Sequence, residues 1–364
     1  MKGRAVVGGR AGTRQGKKGL IGKPTFFQMG VRTMRAAVIE KPYRLVVRDV
    51  EDPACGDDEI LVRIHRAAIC NTSDWEVYIG SSSIIDYVGG YPHILGHEQS
   101  GEIIEVGKHV SGFAEGDRLT WYVKATGAFA EYTTLNPAEI AVVKLDDRVT
   151  YDEGAVLELA GGGAMRNAYG SGLRPTDTVA VIGVGPAGLF TGMAARLLGA
   201  KHWIALDLVD FRLQKARELG ASAAFNVLKT DHEEIAQAIH RRFGAIDIVF
   251  ETMGVDHTPG ERGLDMAIRL VKPGGNVRLF TIAPTRHPLS IGDALMKGVN
   301  FIGHKVTIEK SRDLLDLAQH WVAEGRYPIA KAITHHIPLE EVEQGLKFVH
   351  EHPEEAIKVV VDIR

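Results

Sequence analysis

Cysteine is nearly absent from this chain of 364 residues: there are two, Cys55 and Cys70. That is too few for a disulfide framework, and a reducing, cytoplasmic setting is the expectation. Long apolar runs are missing as well. The uncharged stretch Val179 to Ala195 is 17 residues, slightly short for a bilayer, and five Gly or Pro interrupt it as a turn would. No membrane span is expected. Acidic residues are missing from the first 35 positions, which carry nine Lys or Arg, whereas the remainder holds 34 basic and 46 acidic residues, a net −12. Such a body presents no general basic surface for nucleic acid. The basic arm has neither an apolar core of signal-peptide length nor helical periodicity, so residues 1–33 read as a disordered leader with the folded part starting near Met34. The rest of the composition, 45% hydrophobic and 24% charged, excludes a disordered or collagen-like chain. At about 150 residues per domain, the length allows two.

Two rhythms divide the chain. From Met34 to about Lys144, short alternating segments punctuated by turns are expected as strands: Arg35 to Glu40, Arg44 to Asp49, Ile60 to Ala68, Gly101 to Val106, Arg118 to Val123 and Phe129 to Thr134. This half reads as a β-barrel. From about Pro175, apolar runs alternate with helical segments. Strands are expected at Thr178 to Gly183, His202 to Asp207, Ile246 to Glu251 and Asn276 to Thr281. Helices are expected at Gly188 to Leu198, Arg212 to Leu219 and Gly263 to Val271. Strand and helix in alternation imply a parallel, doubly wound sheet. After about His304 two amphipathic helices, Arg312 to Glu324 and Leu339 to Glu351, and a closing strand, Ala356 to Asp362, are expected to pack back on the first half.

The second half carries a nucleotide motif. Gly183-Val184-Gly185-Pro186-Ala187-Gly188 follows a strand, opens a helix, and has Asp207 at the end of the next strand, 19 residues after Gly188. In that context GxGxxG marks a dinucleotide site: Gly183 for the tight turn, Gly185 for approach of the pyrophosphate, Gly188 for helix–strand packing, and the helix N-terminus for the phosphate charge. Asp207 would accept from the adenosine ribose hydroxyls, and no Arg immediately follows it, which favours NAD over NADP. Arg212 flanks the adenine or is a surface cation of the next helix. The competing reading has the glycines serve helix–strand packing alone.

The first half carries a metal motif. Gly96-His97-Glu98-Gln99-Ser100-Gly101 is followed by Gly107 and Val110, with Cys70 placed 27 residues before His97 and Glu158 downstream. A thiolate, an imidazole and carboxylates suit Zn²⁺. Each has a plainer reading alone: a buried cysteine, a core histidine, and ion-paired carboxylates, with Lys358 a candidate partner for Glu98. Together with the nucleotide motif these residues make the chain, from about Met34 to Arg364, resemble the medium-chain, zinc-dependent alcohol dehydrogenases. The resemblance implies an α/β protein: a GroES-like β-barrel catalytic domain (34–159 and 304–364) plus a doubly wound Rossmann NAD-binding domain (160–303), assembled as a homodimer or homotetramer. It implies that Cys70 and His97 bind the metal, that Glu98 is a ligand or lies beside it, and that Glu158 stands where typical alcohol dehydrogenases have a cysteine and the sorbitol and threonine dehydrogenase branches a glutamate.

Two departures from that family are visible. The four-cysteine lobe that binds a structural zinc is missing, since Gly116-Asp117-Arg118 runs through Trp121 and Lys124 to Gly127 without a cysteine; one catalytic zinc and no structural zinc is the expectation. Thr72 matches the hydroxyl that links substrate to cofactor ribose, but Trp75 stands where some members have a relay histidine. Ser73 replaces the usual aspartate, with Asp74 one position late. The function so implied is a zinc-dependent NAD oxidoreductase of a secondary alcohol, a polyol, sugar or amino alcohol, with Glu98 or Glu158 as substitute base. The alternatives are a zinc-free quinone or enoyl reductase of the same superfamily, or a non-catalytic nucleotide-binding protein. The segment Glu76 to Pro92, with Tyr78, Ser81 to Ser83, Asp86 and Tyr87, is expected to line the substrate cleft, and Glu251-Thr252-Met253-Gly254 to lie near the nicotinamide.

Overall fold

Alternation of side chains dictates the first half. A computed structural model describes residues 32–81, 85, 88–122, 126–253, 263–280, 291–303 and 307–363. In it, β1 (Thr33–Lys41) pairs antiparallel with β2 (Arg44–Glu51), and β3 (Ile60–Ala68) turns Ile60, Val62 and Ile64 into a fully buried face. A short helix, α1 (Ser73–Ile79), follows; β4 (His93–Ile94) returns to the edge of β1, and β5 (Glu98–Val106), β6 (Arg118–Tyr122), β7 (Tyr132–Leu135) and β8 (Ala141–Lys144) complete this half.

The chain then becomes helical. A capping box at Thr150 and Glu153 starts α2 (Tyr151–Leu157), which widens into a π-helix (Glu158–Met165) before α3 (Arg166–Tyr169). The second half follows the expected alternation: β9 (Thr178–Ile182), α4 (Pro186–Leu197), β10 (His202–Asp207), α5 (Asp210–Glu218), β11 (Ala223–Asn226), α6 (His232–Phe243), β12 (Ile246–Glu251), α7 (Gly263–Leu270), β13 (Val271–Leu279), α8 (Ile291–Lys297) and β14 (Asn300–Ile302). Its strands form one parallel sheet in the order β11-β10-β9-β12-β13-β14. The order reverses at β9, which makes the C-terminal ends of β9 and β12 the switch point where this fold binds its ligands.

The last segment, α9 (Ile308–Ala323), β15 (Ile333–Pro338), α10 (Val342–Glu351) and β16 (Lys358–Asp362), rejoins the first half: the second sheet there runs β15-β16-β3-β5-β6-β8, with β7 also on β3. The largest apolar cluster unites the π-helix (Ala160, Ala164, Met165), α4 (Leu189, Phe190, Met193) and α9 (Leu314, Leu315). At about 1.5–3 kcal/mol for each large apolar side chain buried, this cluster holds the two halves together along the helix that begins with Glu158. Among the described residues no helix is long and apolar enough to cross a membrane. Of residues 1–33, expected as a leader, 1–31 lie outside the described residues and Thr33 opens β1.

Candidate functional site

Three adjacent strands assemble the metal motif. β16 pairs with β3 and β3 with β5, so that Ala68 stands opposite both Val360 and Glu98. The loop leaving β3 carries Cys70, the turn entering β5 carries His97, and β16 carries Lys358. Gly96 makes that turn possible: its φ is +90°, and a Cβ there would sit 2.9 Å from the ring of Phe129. Donor atoms of Cys70, His97 and Glu98 all lie within 4.8 Å of one another, Cys70 and His97 half-buried and Glu98 buried. The cluster therefore opens on the side of the thiol and the imidazole.

One buried carboxylate braces it. Asp74, 1% exposed, has Oδ1 3.2 Å from His97 Nδ1 and accepts from the Cys70 amide through Oδ2 at 2.9 Å, while the Ser73 amide donates to Cys70 Sγ at 3.4 Å. With Nδ1 given to Asp74, Nε2 is the ring nitrogen left for a metal. The sequence reading noted Asp74 only as an aspartate out of register. The available signal was a carboxylate in the same turn as a candidate cysteine, and the structure turns it onto the histidine.

Charges within the cluster explain one another. Burial pushes the Cys70 thiol up, but the neighbouring His97 imidazole, by charge and hydrogen bond, brings it down to about 6. Burial works against an imidazolium at His97, yet Asp74 and Cys70 hold it protonated well above the ordinary histidine range. Burial raises Glu98 well above the usual carboxylate range against the pull of Lys358, whose Nζ donates to Glu98 Oε1 at 2.6 Å and to Ile69 O at 2.8 Å. Glu98 Oε2 is buried with no hydrogen-bond partner. Glu158, first residue of the π-helix and 6% exposed, is raised by burial to about 7, with the charges of His97, Cys70, Lys358 and Asp74 acting on it. A depressed thiol, a braced imidazole, an orphaned carboxylate oxygen and a second carboxylate in the same field form a donor set that suits zinc. Among the described residues one other grouping of this kind, His352, Glu354 and Glu355, lies at the surface.

The remaining residues expected on the substrate side are placed differently. Thr72 stands exposed as the N-cap of α1, its side chain making no cap hydrogen bond. Trp75 stacks on His350 of α10, ring centroids 3.9 Å apart. Tyr78 is not a cleft residue: it is 2% exposed and its hydroxyl donates to Glu343 at 2.8 Å, because α1 packs its buried face on α10. Tyr91 likewise donates to Val77 O at 2.5 Å. Ser82, Ser83, Asp86, Tyr87 and Gly254 lie outside the described residues.

At the switch point the glycine turn is closely packed. Gly183 has φ +84°, and a Cβ on it would meet Met253 at 2.4 Å. A Cβ on Gly188 would lie 1.9 Å from Gly183 O, whereas Gly185 faces open space apart from Arg212 Nη1 at 3.9 Å. Gly185 is the N-cap of α4, with Pro186 and Ala187 in its first turn. Asp207 accepts from the amides of Val184 at 2.7 Å and Val209 at 2.9 Å, which ties β10 to the turn. Arg212 reaches back over that turn, with Nε buried and unpartnered. Open space at Gly185, the helix N-terminus that begins there and a guanidinium above it suit a pyrophosphate. Thr252 Oγ1 lies 2.5 Å from Gly183 O, so the Glu251–Met253 segment packs on the glycine turn.

Comparison with known proteins identifies the family. Residues 56–147 match the family model described as alcohol dehydrogenase GroES-like domain, and residues 186–320 that described as zinc-binding dehydrogenase. The chain belongs to the zinc-dependent medium-chain dehydrogenase superfamily. It is 28% identical to sorbitol dehydrogenase 1 of Saccharomyces cerevisiae over 90% of this chain and 97% of that protein. It is 26% identical to an L-threonine 3-dehydrogenase of Legionella pneumophila over 83% and 92%. The structure of an alcohol dehydrogenase from Thermus sp. ATN1 superposes with a TM-score of 0.74 at 27% identity, covering 91% of this chain and all of that one. Like the family, this member is an oxidoreductase with a GroES-like and a Rossmann-type part that uses zinc and a nicotinamide cofactor.

Proposed function

We propose that this protein oxidises a secondary alcohol of the polyol or amino-alcohol class with NAD, and reduces the corresponding ketone. The Cys70–His97–Glu98 cluster braced by Asp74 carries this reading. Cys70 and His97 would hold a single zinc with Glu98 or Glu158 completing the set, and no structural zinc is proposed, the other thiol, Cys55, being turned onto the carbonyl of Glu59. Zinc bound there supplies positive charge beside the substrate hydroxyl and lowers its pKa. Asp207 would hold the ribose of NAD, and Gly183, Gly185, Pro186, Ala187, Gly188 and Arg212 its pyrophosphate, the bound cofactor supplying a hydride acceptor for the carbinol carbon. The exposed Thr72 hydroxyl, not spent on a cap, would take the alcohol proton while passing its own on to solvent, and Glu98 or Glu158 would be the substitute base for the histidine missing at Trp75. The buried Asp207 carboxylate, which would repel a 2′-phosphate, supports NAD over NADP.

The relatives' substrates, sorbitol and threonine, motivate the substrate class. We take residues 34–159 and 304–364 as the catalytic part and 160–303 as the nucleotide part, a cytoplasmic location from the two free thiols, and a homodimer or homotetramer as the assembly. The deciding experiment measures zinc content and NAD reduction over polyols, sugars and amino alcohols for the parent and for Cys70→Ser. Loss of zinc and of turnover in the variant is expected; unchanged metal and unchanged rate would refute the assignment.

A further inference from the structure

The π-helix that begins with Glu158 is bolted to the cofactor helix through Ala160. Tyr327, fully buried, places its hydroxyl 3.1 Å from Ala160 O in the π-helix and 3.0 Å from Phe190 O in α4, so a single proton is shared between two helices. A second tie starts seven residues further along the first helix, in α3, and at the next residue of α4: Asn167 Nδ2 donates to Thr191 Oγ1 at 3.3 Å, and its Oδ1 accepts from Arg278 Nε of β13 at 3.0 Å. All four residues are buried. The helix that these ties fasten begins with Glu158 at the metal cluster, and α4 begins at the glycine turn. Neither tie touches the cluster or the turn. Apolar packing of Ala160, Ala164 and Phe190 resists separation of the two helices but leaves them able to slide. Hydrogen bonds between fixed atoms remove that freedom.

We infer that Tyr327 and the Asn167–Thr191 pair are positioning residues that make the Glu158 helix and the dinucleotide helix one rigid piece, so that cofactor binding and metal binding are energetically coupled through Glu158. The inference rests on the reading of Glu158 as part of the metal site. By linkage, zinc must then change the affinity for dinucleotide by the factor by which dinucleotide changes the affinity for zinc. Part of any such factor comes from direct attraction or repulsion between the two ligands, which these ties do not alter. The part carried by the helices disappears when the ties are cut.

The test uses two shape-conserving substitutions, Tyr327→Phe and Thr191→Val, singly and together in the full chain. The dissociation constant of NADH is measured by its fluorescence in metal-stripped and zinc-loaded protein, and the ratio of the two constants is the coupling. In the double variant the coupling is expected to shrink by fivefold or more relative to the parent, while NADH binding to the metal-stripped protein stays within twofold. A merely structural role would lower the melting temperature and leave the ratio alone. A ratio equal to the parent's in both the double variant and Tyr327→Phe overturns the inference. If the double variant does not fold, Tyr327→Phe, which keeps the ring in the core, decides by the same ratio. A parent that takes up no zinc would instead overturn the reading of the metal site, and this inference with it.

Discussion

Asp74 decides the most at the scale of single residues. It accepts from the Cys70 backbone and faces the His97 ring, so it sets both the position of the thiol and the tautomer of the imidazole. Asp74→Asn keeps the shape but removes the charge, and zinc affinity is expected to fall by about 10- to 100-fold, read by titration against a competing chelator. The same cluster sets a pH dependence. On the proposed assignment zinc would displace the protons held by Cys70 (about 6) and by the His97 imidazolium, and that of Glu158 (about 7) where it completes the set. As the pH falls these groups fill with protons, and zinc affinity is expected to weaken by on the order of tenfold per pH unit for each proton displaced. Affinity that is flat or rises on acidification would contradict this electrostatic picture. His93 makes a separate contribution to stability. Burial lowers its pKa, so below the ordinary histidine value the unfolded chain binds a proton that the folded one resists. Stability on that account is intact above that value and is lost as the pH falls toward the lowered one. His93→Gln is expected to flatten the acid limb of the melting temperature plotted against pH.

Elements show which parts of the fold were legible. The strands at Ile60–Ala68, His202–Asp207 and Ile246–Glu251 coincide with expectation, because period-two alternation or a continuous apolar run leaves the backbone little choice. Glu98 begins β5 three residues before the expected strand, since its apolar partners are supplied by β3 and not by its own neighbours. The π-helix was not legible: its run Gly161-Gly162-Gly163 is poor local helix material, and it is helical because only glycine fits there. A Cβ on Gly162 would lie 2.0 Å from the ring of Tyr122, and one on Gly161 2.8 Å from Leu315. Tertiary packing overrode propensity. β15 was missed because Thr334, His335 and His336 interrupt the apolar pattern between Ile333 and Ile337. At the glycine turn sequence and structure agree on the mechanism, and it can be tested: Gly188→Ala drives a methyl into Gly183 O and is expected to cost about 1–3 kcal/mol by overpacking and to abolish NADH binding. A variant that binds NADH like the parent would show that Gly188 is not required for the close helix–strand contact.

Among the described residues, exposed apolar side chains gather at one edge of the parallel sheet. The parallel sheet ends at β14, where Phe301 is 38% exposed, and α8 beside it leaves Ile291, Leu295 and Met296 in solvent, Met296 at 88%. An open strand edge presents unpaired amides and carbonyls, and natural proteins protect such edges with charge, proline or a covering element. None of these three residues is charged, and an exposed apolar group of this kind marks a contact surface. A second copy related by a two-fold axis would lay β14 against β14 and bury both sets of side chains at once, as isologous contacts do. The proposed homo-oligomer would use this edge. Replacing Leu295 and Met296 together, Leu295→Lys with Met296→Glu, alters two residues already in solvent in the single chain and should leave its fold intact. Light scattering is expected to report the parent as a dimer or a tetramer and the double variant as a smaller species, with zinc content unchanged because the metal cluster lies in the other half of the chain. A parent that scatters as a monomer, or a variant of the parent's mass, would remove this edge as the interface.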